Sequence, residues 1–408
     1  MSIVRRIFGL TGFFQKRRED VIDAKHFMKD HKTVNIPLSF DEAYSLGDYA
    51  VYACRNLSDQ QTMLQSFAFL VGFHDRHLYA WQRNGEVIGH DLPKNSAEQI
   101  AGICAAIFDK DIAKSESGFL QPNVPFAMDN CGMGGDRTVT ANISTVAAFI
   151  ASAAGIPMCK HGSPANADKG ECGSSNFVED FCGIKSNAHK RDVERCVELL
   201  SFGYTEALDT RFKLIHMQTH KLANMPHMND VIGPITNPLL PRLMTRRVMG
   251  VNHLIPPKIL AEAYRILNER GFTNLQHGLF IRGFTNSRTE GGMDELSICE
   301  MGTQVAELKD GEIREYWLKP EDFGISPIPV EFVSPSAGVR KGDFSMSILK
   351  GEAPEPCLQM AIANAALLFW LAGKSACLKE CYLMARDALM SGRAYERMLE
   401  VRKMLPAK

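Results

Sequence analysis

The chain has 408 residues, 45% hydrophobic and 9% aromatic, and its 46 lysines and arginines nearly balance 47 aspartates and glutamates for a net charge of −1. That composition excludes a disordered chain and capture of nucleic acid by overall charge, so nucleic acid is not an expected partner. No apolar run approaches the roughly 20 residues of a spanning helix, so no transmembrane segment is expected.

The first 35 residues read as an N-terminal extension. Basic residues (Arg5, Arg6, Lys16, Arg17, Arg18) flank a short apolar stretch that lacks the length and cleavage pattern of a signal peptide. Ser39 and Glu42 have the spacing of a capping box. Residues 42–54, 58–73 and 96–108 follow with helical periodicity. Asn84-Gly85 marks a hairpin within 77–90. Residues 36–122 are therefore expected to form a small helical domain with a β insertion, with part of 205–230 as a candidate addition.

From Phe126 onward, short apolar runs alternate with helical segments. Strands are expected at 126–129, 156–159, 248–252 and 279–282. Helices are expected at 144–154, 174–181, 192–202, 257–270, 357–371 and 375–404. Asp310-Gly311 marks a second hairpin, between 304–308 and 313–317. Alternating β and α units predict an α/β fold, with a central sheet covered by helices, over residues 123–408. The 11 cysteines include no CxxC pair. They read as reduced core thiols of a cytoplasmic protein rather than a disulfide frame or a zinc site.

Three stretches carry chemistry. In the first, Gly132, Gly134 and Gly135 precede Asp136, and glycines there let main-chain N–H groups approach a ligand closely. Such amide concavities bind phosphate oxygens. Asn142, Ser144 and Thr145 then open a helix whose N-terminus adds donors. A tight turn before a capped helix is the plainer reading, but the glycine string and cap cluster together favour an anion site. Arg137 stands where a dinucleotide fingerprint needs its third glycine, and Leu368 where a P-loop ending at Gly373-Lys374-Ser375 needs its first.

The second stretch is Lys160-His161-Gly162-Ser163, directly after an expected strand. A lysine at that end of a strand faces the crevice where α/β proteins bind ligands, and can supply a point charge for phosphate. The third is Asp294-Glu295, adjacent carboxylates in a glycine-rich turn. Both can reach a Mg²⁺ ion that also holds a substrate's phosphates.

Gly132 to Asp136, Asn142 to Thr145, Lys160 to Gly162, Gly292 to Ser297, Gly233 to Pro238 and Pro320 to Gly324 occur along the chain. Together they resemble the motifs of the anthranilate phosphoribosyltransferase family over roughly residues 37–405. The resemblance implies a small helical domain plus a large α/β domain, a homodimer, phosphoribosyl pyrophosphate (PRPP), Mg²⁺ and a small aromatic amine as acceptor. By that resemblance Gly132, Gly134, Gly135 and Asp136 would hold PRPP at its diphosphate and ribose. Thr140, Asn142, Ser144 and Thr145 would bind phosphate. Lys160, with His161, Gly162 and Ser163 beside it, would face the diphosphate, and Ser174 would contact phosphate. Ser144, Asp294 and Glu295 would hold the metal. No residue is assigned as catalytic. Displacing diphosphate from a ribose C1 needs stabilisation of the leaving anion and a positioned acceptor rather than a protein nucleophile.

The chain also departs from the family. Met133 replaces a threonine, Arg137 a glycine, and Ser163-Pro164 an Asn-Arg pair. No arginine lies in 223–229, where the family carries one against the acceptor's carboxylate, and His216, His220, Lys221 and His227 are the nearby substitutes. These departures leave two other readings. One is a non-catalytic relative that binds nucleic acid or a protein through its basic start, and the other a nucleoside phosphorylase.

Overall fold

The structure is a computed structural model, and it describes residues 38–56, 81–83, 86–89, 96–134, 138–165, 172–220, 229–253, 255–285 and 291–407. The expected extension and the helix expected at 58–73 lie outside those residues.

The first described helix, α1 (Phe40–Arg55), begins at the capping box. Ser39 N–H donates to Glu42 Oε2 at 2.8 Å, and Glu42 N–H donates to Ser39 Oγ at 3.4 Å. The hairpin of β1 (Trp81–Arg83) and β2 (Glu86–Gly89) precedes α2 (Ser96–Ala106), which packs on α1.

The main sheet is built from β3 (Met128–Gly132), β4 (Met158–Gly162), β5 (Phe202–Glu206), β6 (Arg246–Gly250), β7 (His277–Phe284), β8 (Gly291–Met293), β9 (Thr303–Lys309) and β10 (Glu312–Leu318). Its order is β10-β9-β7-β6-β3-β4-β5, with β8 paired to β7. Strands β3 to β7 run parallel, while β8, β9 and β10 pair antiparallel. The chain adds β4 and β5 on one side of β3, then returns to add β6 and β7 on the other. β3 is thus the topological switch point, and crevices beyond the carboxyl end of such a strand are where open α/β sheets take ligands.

Alternate side chains of the buried strands feed two cores, as the period of two requires. Val248, Leu279 and Ile281 join one core with α3 (Ile143–Ala153), α9 (Glu355–Leu371), α10 (Leu378–Met390) and α11 (Arg393–Met404). Met249 and Phe280 join the other, with α1, α2 and α7 (Pro257–Glu269). Between β3 and α7 the chain also forms α4 (Lys190–Leu200), α5 (Ile215–His220) and α6 (Asn229–Ile235). α8 (Lys341–Leu349) precedes α9. The cysteines are free thiols.

Several expectations need correction. β3 runs through Gly132, so the first glycine belongs to a strand rather than to the loop. β4 likewise carries Lys160, His161 and Gly162 within it instead of ending before them. Phe202 opens β5, a strand that helical periodicity had absorbed into the preceding helix. The stretch expected as one helix over 375–404 is two, broken at Ser391-Gly392, where Gly392 takes φ 80°. The hairpin at Asp310-Gly311 forms as expected, with φ 51° and 88°.

Candidate active site

The carboxyl ends of β3 and β6 lie side by side, with Gly132 opposite Gly250 and Met133 N–H donating to Gly250 O at 3.1 Å. The acidic turn after β8 rests directly on this pair. A Cβ built on Gly132 would lie 1.8 Å from Asp294 Oδ2, and one on Gly250 would lie 1.4 Å from the Asp294 carbonyl oxygen. Only hydrogen fits at either position. Gly134, with φ 75°, then turns its N–H to donate to Asp294 Oδ2 at 2.6 Å. Beyond residues 135–137, Thr140 Oγ1 donates to Glu295 Oε1 at 2.9 Å. The two carboxylates, some 155 to 160 residues away in sequence, thus each take a bond from the loop after β3.

Glu295 is half-buried, but its Oε2 is shut off from solvent and has no partner among the described residues. Burial, reinforced by the neighbouring Asp294, pushes its carboxyl up to about 8. A carboxylate pair with a buried, unused oxygen fits a divalent cation, whose charge would reverse that penalty. Among the described residues no group of three or more His, Cys, Asp and Glu side chains could hold a metal. An ion on this pair would therefore take its other oxygens from ligand and water, as Mg²⁺ commonly does.

One strand over, Lys160 is buried, and its Nζ donates to Asn130 O, to Asn130 Oδ1 at 3.4 Å and to Ser144 Oγ at 3.4 Å. Asn130 Nδ2 in turn donates to Ser144 O at 2.7 Å, tying β3 to the first turn of α3. Burial lowers the Lys160 pKa, while Asp129, Cys131 and Asp294 oppose that shift. Asp294, the first residue of the acidic pair, is thus one of the charges that act on Lys160. Thr145 Oγ1, in the same turn of α3, is buried with no partner among the described residues. Asn142 points elsewhere. Its N–H donates to Ser345 Oγ at 2.8 Å, and its Nδ2 donates to Cys172 O at 3.0 Å.

His161 Nδ1 lies 3.0 Å from Thr205 Oγ1, whose single hydroxyl proton goes to Lys160 O at 3.1 Å. That assigns the imidazole proton to Nδ1 and leaves Nε2 a buried acceptor. Burial holds His161 well below the ordinary histidine range, so the ring is neutral. Its edge meets His216 with centroids 5.9 Å apart, and His216 lies under Gly233. Gly162, Ser163 and Ser174 form a second cluster at the end of β4. A Cβ on Gly162 would strike Ser174 Oγ, which bonds to Tyr204 OH at 3.0 Å and donates to Ser163 O at 3.4 Å.

The structure thus gathers Gly132, Gly134, Thr140, Ser144, Thr145, Lys160, Asp294 and Glu295 at the carboxyl edge around β3, with His161, Gly162, Ser163 and Ser174 beside them at the end of β4. Gly135 and Asp136 lie outside the described residues, as do Lys221 and His227 and the side chain of His220. Sequence reasoning missed Asn130 and Gly250. A polar residue inside an otherwise apolar strand and a glycine at a strand's carboxyl end were the available signals. It also missed the Asp129–Arg247 pair, fully buried at 2.9 Å. Arg247 donates to Pro234 O at 2.8 Å and to Tyr264 OH, and Lys213 Nζ donates to Thr236 O at 2.7 Å. These bonds anchor the segment 233–238 against His216.

Comparison with known proteins agrees with this geometry. Residues 125–395 match the family described as glycosyl transferase family, a/b domain. The anthranilate phosphoribosyltransferase of Geobacillus sp. (strain WCH70) is 32% identical over 289 residues, 68% of this chain and 78% of that protein. The one from Pseudomonas paraeruginosa is 30% identical over 325 residues, 77% and 84% of the two chains. The crystal structure of anthranilate phosphoribosyltransferase from Thermus thermophilus superposes with a TM-score of 0.69 at 25% identity, covering 92% of this chain and 98% of that one. The Saccharomyces cerevisiae enzyme in complex with PRPP and Mg shares the fold with a TM-score of 0.70 at 19% identity, covering 93% and 97%.

Proposed function

The chain belongs to the anthranilate phosphoribosyltransferase family of glycosyl transferases, and on that footing we propose that it moves a phosphoribosyl group from PRPP to anthranilate in a Mg²⁺-dependent reaction. The observation that carries this reading is the 2.6 Å bond from Gly134 N–H to Asp294 Oδ2, which joins the anion-binding loop and the acidic pair into one site.

In this reading Gly132, Gly134, Gly135 and Asp136 receive the diphosphate and ribose. Thr140, Ser144, Thr145 and Ser174 receive phosphate oxygens and Lys160 adds charge, while Asn142, expected among them, instead holds Ser345 and Cys172. Asp294, Glu295 and Ser144 would hold Mg²⁺, which when bound neutralises the diphosphate and eases its departure. The N-terminus of α3 is a fixed dipole that needs no reorganisation as the anion forms. The bond from C1 to the diphosphate oxygen breaks as the anthranilate nitrogen bonds to C1, the electron pair leaving with diphosphate and the nitrogen shedding one proton. The neutral ring of His161, with His216 against it, offers a lone pair at Nε2 rather than a charge, and this reading assigns the pair to the acceptor. The family likeness also supports a homodimer, to be checked by light scattering, a helical domain over 36–122 and a cytoplasmic setting. No helix among the described residues is long and apolar enough to cross a membrane.

Release of diphosphate is the test. It should require PRPP, Mg²⁺ and anthranilate together and stop on chelation. A protein that binds no PRPP in calorimetry, or that cleaves a nucleoside with inorganic phosphate instead, defeats the proposal.

A further inference from the structure

Leu296 directly follows the acidic pair, and one side chain claims both of its backbone groups. Leu296 N–H donates to Asn364 Oδ1 at 3.0 Å, and Asn364 Nδ2 donates back to Leu296 O at 3.0 Å. The second Nδ2 hydrogen goes to Met360 O at 2.9 Å, one turn earlier in α9. Asn364 therefore uses both amide hydrogens and its oxygen, and it does so inside the core, between Ala363 and Ala365, which are fully buried. Asparagine is a poor helix former, and a buried amide is costly unless satisfied, so neither propensity nor packing explains it in the middle of a 17-residue apolar helix. The bonds it makes do: they copy the paired donor and acceptor of a neighbouring strand.

The next residue is fixed from the opposite side. Ser297 N–H donates to Thr303 Oγ1 at 2.8 Å, and Ser297 Oγ donates to Phe284 O at 2.6 Å. With Gly250 beneath the Asp294 carbonyl, the turn is held from below, from the sheet and from α9. We propose that Asn364 is a positioning residue for the metal-binding carboxylates, acting through Leu296 to keep Asp294 and Glu295 aimed at the loop after β3. The inference rests on the assignment of the acidic pair to Mg²⁺. It gives this helix a task in the active site that its distance in sequence conceals.

The test compares N364A and N364D with wild type and with L367A, a cavity-forming control in the same helix whose side chain is fully buried. Mn²⁺ binding is followed by electron paramagnetic resonance in the presence of PRPP, beside steady-state kinetics. Removing a partner that orients metal ligands weakens metal binding about tenfold or more, and that loss is expected in N364A. N364D keeps the acceptor for Leu296 N–H but sets a carboxylate oxygen against the carbonyls of Leu296 and Met360, so it too should lose metal affinity. The half-saturating Mg²⁺ concentration should rise in step, while the KM for anthranilate stays within about threefold. L367A should lose thermal stability but keep its Mn²⁺ affinity. If N364A does not fold, the near-isosteric N364D carries the same comparison. Mn²⁺ affinity within about twofold of wild type in a folded Asn364 variant overturns the inference. A wild type that binds no Mn²⁺ with PRPP overturns the metal assignment instead.

Discussion

Gly132→Ala is the sharpest single perturbation of the site. The added Cβ would lie 1.8 Å from Asp294 Oδ2 and 2.3 Å from Cγ. Ordinary contact is about 3.5 Å, so the carboxylate must retreat by roughly 1.5 Å. That retreat breaks the 2.6 Å bond to Gly134 N–H. A hydrogen bond to a charged group contributes about 1.5–3 kcal/mol. Displacing a positioned group by about 1 Å can cost on the order of 100-fold in rate. We therefore expect kcat/KM for PRPP to fall by roughly 10²–10³, about 3–4 kcal/mol of transition-state stabilisation. Gly132 lies in β3 and is not in the left-handed region, so its backbone accepts alanine and the loss falls on the carboxylate. Gly134→Ala is the matched control. Its φ of 75° strains an alanine by about 1–2 kcal/mol. Among the described residues nothing lies within 4 Å of its Cβ, and its N–H remains. It should lose thermal stability and less than about tenfold in rate. Continuous detection of released diphosphate, with circular-dichroism melts of both variants, separates the two effects. If Gly132→Ala retains wild-type kcat/KM, or if Gly134→Ala is the more damaged enzyme, the reasoning fails.

Three further outcomes are expected. Thr140→Val removes the donor to Glu295 Oε1 and should raise the Mg²⁺ concentration for half-maximal rate about tenfold, the worth of roughly 1.4 kcal/mol, with little change in melting temperature. Burial lowers Lys213 from its usual 10.5 to about 7, so between those values the folded state binds fewer protons than the unfolded one and stability rises with pH. Urea titrations should show wild type gaining on Lys213→Met as pH goes from 7 to 9.5, and a constant difference would contradict this. Arg247→Met strands Asp129 in the core and should cost about 3–5 kcal/mol by denaturant unfolding, while Arg247→Met with Asp129→Leu should recover much of it.

The parts of the site that were legible in the sequence are those where residue type itself is the signal. Gly132 and Gly134, the hydroxyls of Ser144 and Thr145 and the adjacent Asp294 and Glu295 each carry a local cue. The hairpin at Asp310-Gly311 and the capping box at Ser39 are of the same kind. What sequence could not show is that Gly134 and Asp294 meet, because that contact depends on strand order rather than on anything local. Lys160 was placed beyond a strand because an apolar run stops at a charge, yet Asn130 supplies the acceptors that let the strand continue through it. β5 was hidden because Phe202 also completes the helical spacing of α4. Asn130, Arg247 and Asn364 are polar residues in apolar surroundings. Their partners are carbonyls and carboxylates supplied by other segments, which no periodicity records.

The Gly134 amide already has an occupant. Asp294 lends it an internal anion, so an arriving phosphate meets a rival and gains only the difference between two acceptors, not the whole bond. Phosphate alone should therefore be a poor visitor to this loop. Cargo that also gives the displaced carboxylate somewhere to go should be far better received, a form of discrimination that comes from the competitor rather than from the fit.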